Sequence, residues 1–166
     1  MRTFIDANIL LRFYHFTSDE IEQLKILIKL HEQKDIEIIT NSHLRDEVER
    51  NRETKINEGI DDLSKYLNLK LPRSAEHYKE SKEHSELAKN LVSVRRSIVN
   101  QILEGAADRT LPADILIDEL FEKSRFVEVD DDILSAARKR MDFENPPGKK
   151  GQIGDRIHWE TVIRDI

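Results

Sequence analysis

Asp6 is the first residue in this chain whose type and placement could do chemistry. A short β-prone apolar run, Thr3-Phe4-Ile5, delivers it, and Ile9-Leu10-Leu11 with Phe13 begins a helical pattern two residues later. A buried strand that turns directly into a helix leaves Asp6 at the strand's carboxyl end. In open α/β sheets, loop residues and helix N-termini converge there on one crevice. A simpler reading makes Asp6 the cap of the following helix and Asn8 a turn residue. On this segment alone both readings stand. The chain contains no cysteine, which removes disulfides, zinc–thiolate sites and a thiol nucleophile from consideration.

The elements that would position Asp6 repeat the same pattern. A helix is expected from about Asn8 to Phe16, and Thr17-Ser18-Asp19 caps a second with Ile21, Leu24, Ile28 and Leu30 at helical spacing. Ile36 to Thr40 reads as a strand, and Asn41-Ser42 opens a charged helix from His43 to about Asn57. Two parallel strand-to-helix units of this kind put Asp6 and the first turns of the charged helix at one sheet edge. From about 59 to 125 the pattern is helical, an insertion beside the sheet that could cover the active edge or bind a partner; Gly105 is expected to end one helix and Pro112 to begin the next. Little functional weight falls on His77 and His84 within it. Phe126 to Val129 is the third strand, and Asp130-Asp131-Asp132 reads as a helix cap in preference to a metal site. A flexible loop, Glu144 to Gly154, carries Lys149 and Lys150 but lacks phosphate-loop spacing. Asp155 begins the last helix.

At 166 residues the chain suits one domain, 1–166. No apolar run approaches a membrane span and the N-terminus enters a strand, so a cytoplasmic location is expected. A formal charge of -6 does not draw nucleic acid over the whole surface. A polyanion would have to be met by local basic patches or bound cations.

Three segments together resemble the PIN domain, and more narrowly the bacterial PIN-like proteins with a long helical insertion: the strand ending Phe4-Ile5-Asp6-Ala7-Asn8, the stretch from Thr40 through Asn41-Ser42-His43-Leu44-Arg45-Asp46-Glu47 to Arg52, and the late Pro146-Pro147-Gly148 to Glu160. The resemblance implies a three-layer α/β/α fold around a parallel sheet and a metal-dependent nuclease. It maps the family's first, second and third acids onto Asp6, Glu47 and Asp155, as both catalytic residues and metal ligands, and its site-orienting polar residue onto Asn8. Thr40 and Glu160 are candidates to support these acids. For Glu160, five residues past Asp155 and turned away from it, a salt bridge is the simpler role. Such domains usually continue into a further strand with a fourth acid, whereas the sequence ends at Arg164-Asp165-Ile166. The expected fold therefore lacks its last strand or strands, and a homodimer or partner protein could cover the open edge.

Gathered carboxylates repel one another unless cations lie among them. With oxygen donors and no cysteine, Mg²⁺ or Mn²⁺ is the expected cofactor. The expected function is an endonuclease, foremost an endoribonuclease, that hydrolyses phosphodiesters by in-line attack of metal-activated water. DNA remains an alternative substrate. Arg45, Arg50, Arg52, Lys149 and Lys150 are candidates for substrate binding, each with the simpler role of a solvated charge. His158 and Trp159 are read as structural, Trp159 as core. One alternative is a catalytically degenerate or truncated PIN-fold module that binds RNA or protein. Another is a phosphatase of the haloacid dehalogenase type, disfavoured because Asn8 replaces the acid needed two residues after the nucleophile. A toxin–antitoxin pair is one biological setting for the nuclease reading.

Overall fold

The structure, a computed structural model, describes residues 1–15, 18–65 and 70–165, without the side chains of 18–20, 64–65 and 165. Three parallel strands form the sheet in the order β1 (Arg2–Phe4), β2 (Glu37–Asn41), β3 (Arg125–Val127). Phe4 pairs with Ile39, and Ile39 with Arg125. Seven α-helices accompany it among the described residues: α1 (Ala7–Arg12), α2 (Ser18–Glu32), α3 (Ser42–Lys65), α4 (Glu80–Ala107), α5 (Pro112–Lys123), α6 (Asp131–Asp142) and α7 (Gly154–Asp165).

The alternation along β2 sets the layers. Ile38 joins the main core with residues of α1, α2, α3 and α5, and Thr40 on the same face hydrogen-bonds Ser124 at 2.6 Å. Asn41 faces the other way, onto His158 and Thr161 of α7. There α7 packs on α6 through Ile157, Ile133 and Ala137. Helices thus cover both sheet faces, the three-layer α/β/α arrangement. On α3, Leu44, Val48 and Ile56 form the inward stripe.

Several boundaries differ from the sequence reading for local reasons. β1 ends at Phe4 because the Asp6 carbonyl already accepts the first helical bonds, from Ile9 and Leu10. The first helix tightens at Phe13–His15 into a 3₁₀ turn. β3 ends at Val127, and the amide of Val129 instead donates to Ser42 Oγ at 3.0 Å. Gly105 does not stop α4. A Cβ there would lie 3.0 Å from Leu111 Cδ2, so glycine allows the returning chain to pack closely. The helix ends two residues later, where Arg109 takes a positive φ of 55° and the Thr110 amide donates to the Gly105 carbonyl. α3 runs eight residues past its expected end. α5 lies within the main core, through Ala113, Leu116, Ile117, Leu120 and Phe121, so the excursion from the core is narrower than 59–125. Phe16, Thr17, Leu67, Leu69 and Ile166 lie outside the described residues. Asp130 caps α6 by accepting from the Ile133 amide at 2.7 Å, as its sequence suggests.

Candidate metal and nucleic-acid site

Asp6 lies just past the carboxyl end of β1, where its Oδ1 accepts from the Asn8 amide at 2.7 Å. The two readings of Asp6 therefore coexist: it caps α1 and stays exposed at the sheet edge. Asp155, in the first turn of α7, lines the same depression of about 340 Å³, together with Phe4, Pro147, His158 and Trp159. The loop before α7 is held against Asp155 from behind. Buried Arg156 donates to the carbonyls of Asn145 at 3.1 Å, Lys149 at 3.0 Å and Gln152, and Arg140 donates to that of Pro146 at 3.1 Å. Gly148, at φ 90°, is needed there on two counts: the backbone is left-handed, and an added Cβ would come within 3.0 Å of Asp155 Oδ2.

Glu47 approaches this depression from α3. Its Oε2 lies 3.3 Å from Nε2 of His158, whose ring also packs on Phe4 at a centroid distance of 4.9 Å. Asn41 sets the state of that imidazole. Its Oδ1 accepts from the Leu44 amide at 2.7 Å, which caps α3, and its Nδ2 donates to Thr161 Oγ1 at 2.9 Å. Thr161 in turn donates to the Ile157 carbonyl. With the amide fixed at both ends, its second N–H points at His158 Nδ1, 3.3 Å away. This pattern assigns the proton of His158 to Nε2, where it donates to Glu47. His43 is one helical turn before Glu47, and ligand atoms of His43, Glu47 and His158 lie within 4.8 Å of one another. Burial lowers the His43 pKa from its ordinary value. Since the lone pair of His158 already accepts from Asn41, the free donors of this trio are His43 and Glu47.

A family model described as the PIN domain matches residues 3–164, nearly the whole chain. The chain belongs to the PIN-domain family. No curated protein and no solved structure shows significant similarity to it. PIN domains are a nuclease-type family that typically uses divalent metal, and this PIN domain offers donors for such an ion: ligand atoms of His43, Glu47 and His158 lie within 4.8 Å of one another, and Asp6 and Asp155 line the depression that His158 also borders.

The other sequence candidates divide. Glu47 is half-buried against His158 while Asp46 is exposed, which separates these neighbours. The visible contribution of Asn8 is its backbone amide, which any residue but proline would supply. Thr40 is buried against Ser124, on the sheet face opposite Asn41. Glu160 forms the salt bridge expected of it, with Arg140 at 2.7 Å. Arg52 turns inward and is not available to a substrate: it binds both carboxylate oxygens of buried Asp114, at 2.6 and 2.5 Å, and the Ala106 carbonyl. Arg45 lies over the Phe121 ring at 5.6 Å, Arg50 is exposed on α3, and Lys150 pairs with Glu144 at 2.5 Å. Lys149 is exposed on the loop that borders the depression. Trp159 corrects the sequence reading. It is 46% exposed and lines the depression, because four residues after Asp155 it shares that residue's outer helix face. Asn41, His43 and Arg156 were not singled out as functional. The i,i+4 pairing of His43 with Glu47 was the available signal; the bonds of Asn41 and Arg156 are tertiary and leave no local trace.

Proposed function

We propose that this PIN domain is a metal-dependent endonuclease, acting foremost on RNA, that hydrolyses phosphodiester bonds by in-line attack of water. One observation carries the reading: Asp6, from the end of β1, and Asp155, from the start of α7, line a single depression with His158, which contacts Glu47 of α3. Carboxylates that share one depression, as Asp6 and Asp155 do, repel one another unless a cation lies between them. Asp6, Glu47 and Asp155 would hold the ion. Mg²⁺ and Mn²⁺ both suit these oxygens, and the adjoining imidazole of His43 favours Mn²⁺ of the two. When bound, the ion supplies a Lewis acid that lowers the pKa of a coordinated water and offsets charge on the phosphoryl oxygens. The chain's own part is positioning. His158, oriented by Asn41, steadies the Glu47 carboxylate, and Arg156 and Gly148 fix the loop against Asp155. Lys149 and Arg50, both exposed, would meet the phosphate backbone.

The test is cleavage of single-stranded RNA and DNA of mixed sequence in Mn²⁺, Mg²⁺ and chelator, with Asp6→Asn alongside. Metal-dependent cutting that the substitution abolishes is expected. Equal cutting by the variant would remove Asp6 from the mechanism, and bound but intact nucleic acid would indicate a binding module.

A further inference from the structure

The chain has a single tryptophan, and the fold spends it on the surface. Trp159 is about half exposed in the depression that also holds Asp6 and Asp155; Phe4, Pro147 and Val162 supply the rest of the apolar wall. At about 340 Å³ the depression is at the small end of ligand pockets, which run from roughly 300 to 1,000 Å³. It combines a flat aromatic face, apolar walls and two carboxylates. A negatively charged ligand group cannot sit directly on those acids without a cation, whereas an uncharged planar ring can lie on the indole and leave its attached phosphate beside them. Every nucleobase has such a π-face, and stacking on aromatic side chains is how unpaired strands are gripped. A base still paired within a duplex cannot enter, because its faces are covered by its neighbours.

We infer that the depression is a nucleobase seat in which Trp159 stacks one unpaired base next to the scissile phosphate. Pro147 is part of its wall. Its position depends on the Arg140 and Arg156 bonds that hold the loop, and Lys149 on that loop is placed for the adjoining phosphate. This inference rests on the nuclease reading for the chemistry at Asp6 and Asp155, but the seat is testable without any cleavage.

Because Trp159 is the only indole, its fluorescence reports on the seat alone. The experiment is a fluorescence titration of the full chain, in chelator, with a single-stranded RNA oligonucleotide, the same sequence as a duplex, and the same backbone with abasic sites. Labelled-oligonucleotide anisotropy follows binding in parallel for the wild type, Trp159→Ala and Trp159→Phe. The single strand should quench and shift the emission while the duplex and the abasic strand do not. Trp159→Ala should bind the single strand about 5- to 150-fold more weakly, the range that stacking of one base corresponds to, and Trp159→Phe should recover much of the loss. Overturning results are an emission unmoved by a strand that anisotropy shows to be bound, an equal response to duplex, unchanged affinity in Trp159→Ala, or no binding of any of the three. Quenching without cleavage in Mn²⁺ would sink the nuclease reading and keep the seat; cleavage indifferent to Trp159→Ala would do the reverse.

Discussion

The sheet with its flanking helices and the long helix α4 are built on opposite terms. Around the sheet, α1, α3 and α5 each bury a stripe of apolar side chains, and Leu10, Ile38, Leu44 and Leu120 are almost wholly enclosed. α4 is 28 residues long, yet none of its residues is buried. Leu87, Leu91, Val94 and Ile98 recur along it at helical spacing and remain well exposed, and only Ile102 and Ala106 near its end reach the main core. The difference shows where a polypeptide must be specified closely. The carboxylates of the proposed site come from separated segments, and the elements that carry them are fixed by burial. α4 carries none of those acids and is tied to the rest mainly through its C-terminal turns.

That tie gives the largest test of the comparison. Asp114 of α5 accepts from the Tyr14 hydroxyl at 2.7 Å and from Arg52, which also donates to the Ala106 carbonyl in the last turn of α4. Burial, followed by the hydrogen bond to Asp114, raises the Tyr14 pKa well above its ordinary value. Asp114→Ala would strand a guanidinium and a phenol, and is expected to cost about 3–5 kcal/mol. Urea denaturation measures it. Replacing the three partners together, Tyr14→Phe, Arg52→Met and Asp114→Leu, should restore most of that loss; if the triple variant is as unstable as the single, stranded polar groups are not the source of the loss.

A pair of truncations sharpens the contrast directly. Leu10→Ala, in the enclosed core, should lower unfolding free energy by about 2–5 kcal/mol. Leu91→Ala, on the exposed seam of α4, should change it by only about 0.5 kcal/mol. Comparable losses in the two would mean that the seam of α4 is covered in solution, and sedimentation of the wild type would then identify a second copy.

The same contrast explains what could be read in the sequence. Strand ends followed by helix starts are local patterns, so the place of Asp6 at the carboxyl end of a strand could be read, as could the cap at Asp130, whereas Glu47 and Asp155 came from the family resemblance. Trp159 was misread because an aromatic in an apolar-rich helix is usually core; only its phase relative to Asp155, which faces outward, shows otherwise. Arg52 was misread because a charged residue on a charged helix looks solvated until a buried carboxylate on α5 meets it. The roles of His158 and Asn41 depend on a contact between β2 and α7, residues 117 apart in the chain, and no local pattern encodes that contact.

The outer edge of the α4 junction supplies the smallest effect. Arg109, in the turn between α4 and α5, makes a bidentate pair with Glu49 of α3, at 2.9 and 2.6 Å. Hydrogen bonds from Arg109 hold the Glu49 carboxyl below the usual carboxylate range, against the opposing pull of partial burial. A depressed folded-state pKa means that the pair stabilises the fold above the unfolded-state pKa of about 4.3 and loses that contribution as pH falls through the lower folded value. Both side chains are nearly half exposed, so solvent and salt screen the interaction to less than about 1 kcal/mol. Other carboxylates titrate in the same range, which makes the informative quantity the stability difference between wild type and Glu49→Gln. That difference should favour the wild type at pH 7 in low salt and shrink both on acidification and in high salt. A difference independent of pH would mean that Glu49 contributes by packing alone, leaving the Asp114 network as the electrostatic tie between the sheet layers and α4.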